Sequence, residues 1–157
     1  MMRMAVLAAL LLAGCAAKAP EPAGPALRDP KAMISSAALF DAGRFAGTWH
    51  VAASSTPGCT GAKQVWRWNG KAFDLGGFDC SGAKPGLLQG KATLIGPGAR
   101  FKPDHGFGRE PIWLLWVDQD YRVAVLGTPS GHWGMVLSRD LPLRADLATA
   151  SREVLDF

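Results

Sequence analysis

The stretch Phe45-Ala-Gly-Thr-Trp-His-Val-Ala-Ala53 decides the fold of this chain. It opens a long series of short apolar runs that are separated by turn residues. Gly47 lets the backbone approach another segment closely, and Thr48 and Val51 favour a strand. Trp49 is large enough to plug one end of a closed sheet. We therefore interpret the stretch as the first strand of a β-barrel.

Seven more strands are predicted after this one, joined by short turns. Asn69-Gly70 is the strongest hairpin signal in the chain, because both residues readily adopt the left-handed conformations of a two-residue turn. Neighbouring strands with short connections form an antiparallel meander, and eight strands suffice to close a barrel. The eight predicted strands span residues 48–54, 63–68, 72–78, 87–95, 99–102, 111–117, 121–127 and 132–139.

The periodicity changes after Arg139. Leu143, Leu147, Ala150 and Val154 are spaced as on one face of an amphipathic helix, which we predict over residues 143–157. A single helix after a barrel meander is expected to pack its apolar face on the outer wall. The predicted fold class is therefore all-β, an eight-stranded antiparallel up-and-down barrel with a C-terminal α-helix packed outside.

The composition agrees with one domain that has one core. The chain has 157 residues with 19 Gly, 11 Pro and six Trp, which suits short strands and many turns better than a helical bundle. Its net charge of +4 is not concentrated in a basic run, so we expect no nucleic-acid partner. An apolar segment at residues 32–40 is expected to form a short helix or turn that covers one end of the domain.

The N-terminus resembles a bacterial lipoprotein signal. Arg3 is followed by the apolar residues 5–12, too few to span a bilayer, and then by Leu12-Ala-Gly-Cys15. The resemblance implies a signal peptide at 1–14, cleavage before Cys15, acyl chains such as palmitate on Cys15, and membrane anchoring. Residues 15–44 then contain the lipidated cysteine, a Pro/Ala-rich tether and a lead-in, and 45–157 form the barrel domain. The alternative is an ordinary signal peptide with an incidental cysteine.

Two further cysteines, Cys59 and Cys80, are best interpreted as a disulfide in an exported protein. Such a bridge closes a loop of about 20 residues and contributes roughly 3 kcal/mol. A metal site or a reactive thiol is the weaker interpretation, because no His or Cys has the spacing of a zinc motif.

Alternation along each strand predicts which side chains line the interior. The predicted lining is apolar and aromatic, with several small residues that leave room for a hydrophobic ligand. For residues 111–117, which are apolar on both faces, Trp113 is expected to face the helix or the solvent. The predicted lining residues are Val51, Ala53, Trp66, Trp68, Phe73, Leu75, Leu88, Leu94, Leu114, Trp116, Tyr121, Val123, Val125, Trp133, Met135 and Leu137.

Three sequence blocks resemble those of the lipocalin family. They are Gly47-Thr-Trp49, Asp118-Gln-Asp-Tyr-Arg122 and Leu137-Ser-Arg139, and the predicted helix follows them as in lipocalins. Gly90-Lys-Ala92 adds a local likeness to the bacterial outer-membrane lipocalins, which are also lipoproteins. The resemblance covers residues 45–157.

This resemblance implies a structural role for Arg139, which in lipocalins packs over the first-block tryptophan, here Trp49, and with Gly47 closes the base of the barrel. It also implies a carrier of a small hydrophobic molecule, of the fatty acid or lysophospholipid class. The expected location is the cell envelope, at the outer membrane facing the periplasm. Neither a catalytic activity nor a cofactor or resident metal is expected.

Other interpretations remain open at this point. The barrel could be filled by side chains and serve as a structural or interaction lipoprotein without a ligand. An avidin-like barrel also begins with Gly-Thr-Trp, but it has no final helix and no Leu-Ser-Arg block. An enzyme would have to draw on the titratable residues His50, Cys80, Asp104, His105, Tyr121 and His132. His50 with His132 at one rim is the pair that would hold haem or a metal.

Overall fold

Eight antiparallel strands close into an up-and-down barrel in the computed structural model of the chain, which describes residues 28–29, 31–104 and 110–156. Each strand pairs with the next in sequence, and β8 pairs with β1. The predicted fold class is confirmed. The strands are β1 (Gly47–Ser54), β2 (Lys63–Trp68), β3 (Ala72–Asp79), β4 (Gly86–Leu94), β5 (Arg100–Pro103), β6 (Ile112–Val117), β7 (Val123–Gly127) and β8 (Gly134–Ser138).

The two ends of the barrel differ. We call the end at which β1 begins and β8 ends the base, and the opposite end, where the connections 55–62 and 80–85 lie, the mouth. At the base, the predicted hairpin turn joins β2 to β3: Gly70 has φ +92° and the Asn69 side-chain oxygen accepts hydrogen bonds from the N–H groups of Lys71 and Ala72. The predicted signal peptide, Cys15, His105 and most of the predicted tether lie outside the described residues.

Helix α2 (Ala145–Leu155) packs on the outer wall of the barrel, as the sequence predicts. Its apolar face lies on the outward side chains of β7 and β8. These contacts explain why β7 and β8 are buried on both faces, unlike strands with one wet face. The residues of this outer cluster are Leu115, Trp116, Val123, Val125, Val136, Leu143, Leu147, Val154 and Leu155, together with Ala52.

The lead-in differs from the prediction. Residues 32–40 contain no helix; the first helix is α1 (Ala42–Phe45), a single turn whose N-cap Asp41 accepts a hydrogen bond from the N–H of Arg44. Instead, the N–H of Ala37 donates a hydrogen bond to the carbonyl of Leu114, and the carbonyl of Ala37 accepts one from the N–H of Ala99. Within the described residues, no helix is both long enough and apolar enough to span a bilayer.

Candidate functional site

The base of the barrel is closed by Trp49 and Arg139. The guanidinium of Arg139 lies over the Trp49 ring, and its Nη1 donates a 2.9 Å hydrogen bond to the carbonyl of Thr48. The Trp49 indole N–H donates to the carbonyl of Phe45 at 2.9 Å. Burial lowers the pKa of the Arg139 guanidinium below its usual value, which reflects the desolvation of a charge held against an aromatic face.

Aromatic rings fill the space above this base. Phe45 lies at their centre, 5.2 Å from Trp66 and 5.7 Å from Phe73 between ring centroids. Most of these pairs are tilted or edge-to-face, the arrangements that the ring quadrupole favours. The cluster therefore forms a packed core in the half of the interior next to the base. Its members are Phe40, Phe45, Trp49, Trp66, Trp68, Phe73 and Phe101.

Gln64 is the polar side chain in the middle of the interior and is fully buried. Its amide nitrogen donates to the carbonyl of Phe78 at 2.8 Å, and its side-chain oxygen accepts from the indole N–H of Trp66 at 3.3 Å. Because both ends of the amide have partners, Gln64 stabilises the fold at little desolvation cost. The apolar neighbours at this level include Leu75, Leu88, Leu114, Leu126, Met135 and Leu137.

The mouth is tied by the predicted disulfide. Cys59 and Cys80 are bonded and both are fully buried. The carbonyl of Cys80 accepts hydrogen bonds from the Trp133 indole N–H and from the Thr56 hydroxyl, each 2.6 Å long. These contacts fasten the connection 55–62 to the β3–β4 connection and to the start of β8. Among the described residues, buried side chains therefore lie along the interior from the base to the mouth.

An apolar cavity of about 290 Å³ lies beside the mouth but outside the barrel wall. It is open to solvent on one side and is bounded by the C-terminal end of α2 and by strands β1, β6, β7 and β8. Leu115, Leu155 and Trp133 are its large apolar lining residues. A Cβ at Gly127 would lie 2.9 Å from the Leu115 side chain and a Cβ at Gly134 would lie 3.0 Å from that of Leu155, so the two glycines let these leucines pack close to the backbone. The lining residues are Arg28, Ala53, Ser54, Ser55, Leu115, Gly127, Thr128, Gly131, Trp133, Gly134, Leu155 and Asp156.

Two strand irregularities turn side chains out of the interior on this side of the barrel. The pairing of β1 with β8 shifts register between Val51 and Ala53, which turns Ala53 out of the interior and into the cavity wall. The pairing of β6 with β7 shifts between Leu114 and Trp116, which turns Trp116 out of the interior and into the outer cluster beside Leu115. A bulge of this kind adds a residue to one strand and reverses the faces beyond it.

Arg28 brings a positive charge to the rim of the cavity. Its guanidinium donates hydrogen bonds to the carbonyls of Thr128 and Pro129 at the mouth, and to those of Asp29 and Ala32 in its own segment. The carboxyl group of Asp156 lies at the same cavity. The site thus combines an apolar wall with a cation held by carbonyl groups.

The structure brings most of the predicted lining residues together inside the barrel. Trp68 and Leu94 are half-buried and pack against the interior cluster. Trp133 lies at the mouth, where it also reaches the outer cavity. The predicted residues that belong to the interior cluster are Val51, Trp66, Phe73, Leu75, Leu88, Leu114, Tyr121, Trp133, Met135 and Leu137.

Four predicted lining residues lie elsewhere and are corrected here. Val123 and Val125 face α2, and Ala124 and Leu126 face the interior instead. The prediction continued the in-and-out alternation of β7 back to Tyr121. Tyr121 has φ +56° and lies in the turn before β7, so the alternation does not extend through it. The two other corrected residues, Ala53 and Trp116, are displaced by the register shifts described above.

Trp113 lies on the outer wall, and the guanidinium of Arg100 lies over its ring at 4.2 Å. Sequence reasoning missed Arg28 and Leu115 as cavity residues. Leu155 lies within the predicted helix 143–157, but it was not identified as a cavity residue.

Of the candidate catalytic residues, those that the structure describes do not come together. Cys80 is in the disulfide, and the Tyr121 hydroxyl accepts a hydrogen bond from the N–H of Asp41. His50 pairs with Ser138 at the end of β8, whereas His132 precedes the start of β8, so the two histidines lie at opposite ends of the barrel rather than at one rim. Within residues 28–29, 31–104 and 110–156, no group of three or more His, Cys, Asp or Glu side chains is placed to hold a metal ion.

Comparison with solved structures finds a similar barrel in several lipocalins. It is similar to lipocalin 12 from rat epididymis (TM-score 0.56, 13% identity, covering 78% of this chain and 82% of that one). It is also similar to insecticyanin from the tobacco hornworm Manduca sexta (TM-score 0.51, 17% identity, 79% and 76% covered) and to apocrustacyanin C1 (TM-score 0.50, 16% identity, 71% and 69% covered). No protein-family model matches the chain, and no curated protein sequence matches it. At these identities the likeness shows the lipocalin fold.

Proposed function

We propose that this protein binds a small hydrophobic molecule and does so without catalysing a reaction. The lipocalin fold suits small hydrophobic ligands, and the observation that carries the proposal here is the apolar cavity beside Trp133. Its volume of about 290 Å³ is near the lower end of the roughly 300–1,000 Å³ that small-molecule sites span. Burial of apolar ligand surface at about 25 cal/mol per Å² supplies the affinity.

The ligand class that fits is a single-chain amphipathic acid or phosphate ester, such as a fatty acid or a lysophospholipid. Leu115, Leu155 and Trp133 present apolar surface to the chain, and Arg28 at the rim presents a positive charge to an anionic head. The packed aromatic cluster inside the barrel supports this outer cavity, rather than the lower interior, as the place where the ligand lies.

The proposal is tested by titrating delipidated protein with a dansylated undecanoic acid and displacing it with palmitate or lysophosphatidylcholine. We expect saturable 1:1 binding. Ala53→Trp, which fills the cavity from an exposed position, is expected to weaken binding at least tenfold. Thr60→Trp, an equally large change on the exposed mouth connection, is the matched control and should leave the affinity unchanged.

The outcomes separate the ligand from its location. Unchanged affinity in Ala53→Trp would overturn the cavity as the site while leaving hydrophobic binding intact. Absence of binding for every probe would overturn the function itself and favour a filled barrel with a structural or interaction role. The packed interior is the observation that supports this second candidate, which predicts that native mass spectrometry finds no bound lipid.

We further propose that the protein is exported and anchored to a membrane of a bacterial cell envelope through acyl chains on Cys15. The sequence Leu12-Ala-Gly-Cys15 supports this proposal, and the disulfide of Cys59 with Cys80 is consistent with an oxidising compartment. Mass spectrometry of the mature N-terminus tests it: cleavage before Cys15 with added acyl groups is expected, and Cys15→Ser should abolish both. An unmodified N-terminus in the native host would contradict it.

A further inference from the structure

Two large apolar side chains are exposed side by side on the outer wall next to the mouth. Phe78 at the end of β3 and Leu87 at the start of β4 are paired across the strands, and they are 51% and 77% exposed. Alternation explains their direction: Leu75 and Leu88 face the interior, so Phe78 and Leu87 face outward.

No element of the described chain covers this side of the barrel. Helix α2 packs on β6 and β7, and its apolar face lies on Val123, Val125 and Val136. Gly76 precedes Phe78 on the same face of β3 and supplies no side chain, so Phe78 protrudes from a low surface. An apolar pair of this kind on a water-exposed wall is available for contact with an apolar partner.

The charges around the pair are mostly positive. Lys63 lies next to Phe78, because the following residue, Gln64, pairs with Gly77, and Lys84 lies in the connection between the two strands. Both lysines are exposed. The neighbouring carboxylate of Asp79 accepts hydrogen bonds from the N–H and the hydroxyl of Ser81.

We propose that Phe78, Leu87, Lys63 and Lys84, here called the mouth patch, dock the barrel on an anionic lipid bilayer. The apolar pair enters the interfacial region and the lysines bind lipid phosphates, as in other interfacial anchors. A second copy of the chain fits less well, since the apolar pair exposes on the order of 250 Å² whereas a stable interface buries about 800 Å² per partner.

The position of the N-terminal segment agrees with this orientation. Arg28 is fastened to Thr128 and Pro129 at the mouth, so the chain that leads back to Cys15 starts from the end of the barrel that carries the mouth patch. A bilayer that holds the proposed anchor would therefore lie within reach of the mouth. The docking itself needs no lipidation, and it is independent of the cavity beside Trp133.

Vesicle binding of a chain of residues 16–157 tests the proposal. This chain keeps every strand, the disulfide and both helices, which all lie between residues 42 and 155, and it lacks the apolar segment 5–12 that would bind membranes by itself. We expect binding to vesicles of phosphatidylcholine with one third phosphatidylglycerol, and at least tenfold weaker binding in 0.5 M salt or to pure phosphatidylcholine.

Two double variants make the test specific. Phe78→Ser with Leu87→Ser is expected to weaken vesicle binding at least tenfold without lowering the melting temperature. The matched control is Met33→Ser with Leu39→Ser, since these side chains are 99% and 93% exposed but lie outside the mouth patch; it should bind like the wild type. Equal binding by both variants, or no binding by the wild type, overturns the proposal. A concentration-dependent dimer that the first variant abolishes would make a second copy the occupant instead.

Discussion

The guanidinium carbon of Arg139 lies 3.7 Å from the centroid of the Trp49 ring, so the residue immediately after β8 covers the first large side chain of β1. The same guanidinium donates hydrogen bonds to carbonyl oxygens between Arg44 and Thr48, and its Nε donates to the carbonyl of Tyr121. The Arg139 side chain, which follows β8, therefore connects the segment that leads into β1 with the turn before β7. This is a structural contact, and it covers the base of the barrel that the pairing of β1 with β8 closes.

Arg139→Lys should destabilise the fold although it keeps the charge. A lysine has no planar fork and cannot donate to several carbonyls while lying flat on an indole. We expect a loss of about 2 kcal/mol or more in the free energy of unfolding, measured by urea denaturation. Arg67→Lys on the exposed face of β2 is the control and should change stability by less than about 0.5 kcal/mol. Equal effects at both positions would show that the contact with Trp49 contributes nothing.

Trp49→Ala should lower stability strongly, by about 3–5 kcal/mol, because it opens a cavity under Phe45 and Arg139. Trp49→Phe keeps part of the packing and should remain folded. In that variant the affinity for the dansylated fatty acid is expected to stay the same, whereas Trp133→Phe should change it. A ligand affinity that follows Trp49 rather than Trp133 would place the ligand at the base.

Gly47→Ala tests the closeness of the base contact. Gly47 has φ +118°, and a Cβ there would lie 2.9 Å from Nη1 of Arg139. We expect a loss of about 1–3 kcal/mol from backbone strain together with displacement of the guanidinium. Gly70 also has a positive φ, +92°, but an added Cβ would meet no atom within 4 Å. Gly70→Ala therefore measures the backbone strain without a steric contact. The Gly47 variant should be the more destabilised of the two, and a thermal unfolding series compares them.

Removal of the disulfide should loosen the mouth before the base. The bridge between Cys59 and Cys80 spans 21 residues, and in the chain-entropy model its loss costs roughly 3 kcal/mol. In Cys59→Ser with Cys80→Ser, we expect faster amide exchange in residues 55–62 and 80–85 than in β1, β7 and β8. Uniform acceleration across the barrel would show that the bridge stabilises the whole fold instead of the mouth.

Asp118 should make the turn before β7 sensitive to acid. Burial raises the pKa of its carboxyl group, but hydrogen bonds from the N–H of Val123 and from the side chain and N–H of Arg122 outweigh this, so the pKa lies below its ordinary value of 3.8. A lowered folded-state pKa stabilises the protein fully above the unfolded value, and this stability is lost as the pH falls from 3.8 to the folded-state pKa.

Asp118→Asn is accordingly expected to cost about 1–3 kcal/mol at pH 7, and the difference from the wild type should shrink below pH 3.8. Urea unfolding between pH 2.5 and 7 measures both. Asp74→Asn, which removes an exposed ion pair of 3.8 Å with Lys91, is the control and should cost less than about 1 kcal/mol. A constant difference across this range would contradict the role of the charge.

The sequence by itself determined the number of strands, most of their limits and the final helix. These depend on local properties: alternation along a strand, the turn preference of Asn69-Gly70 and the spacing of Leu143, Leu147 and Val154. The pairing of Cys59 with Cys80 was also predictable, because no other cysteine follows the N-terminal segment. Local patterns of this kind fix each element without any knowledge of its neighbours.

Only the tertiary structure decided which face of each strand lies inside and where a cavity remains. The register shifts near Ala53 and Trp116 reverse the alternation and arise from pairing with other strands, and the left-handed Tyr121 breaks it in the turn before β7. Val123 and Val125 face outward, but α2 buries them as completely as the barrel interior buries Ala124 and Leu126. Their apolar character in the sequence is therefore the same as that of interior residues. Burial alone does not identify the covering element, so the filled interior and the cavity beside Trp133 become visible only when the strands are closed.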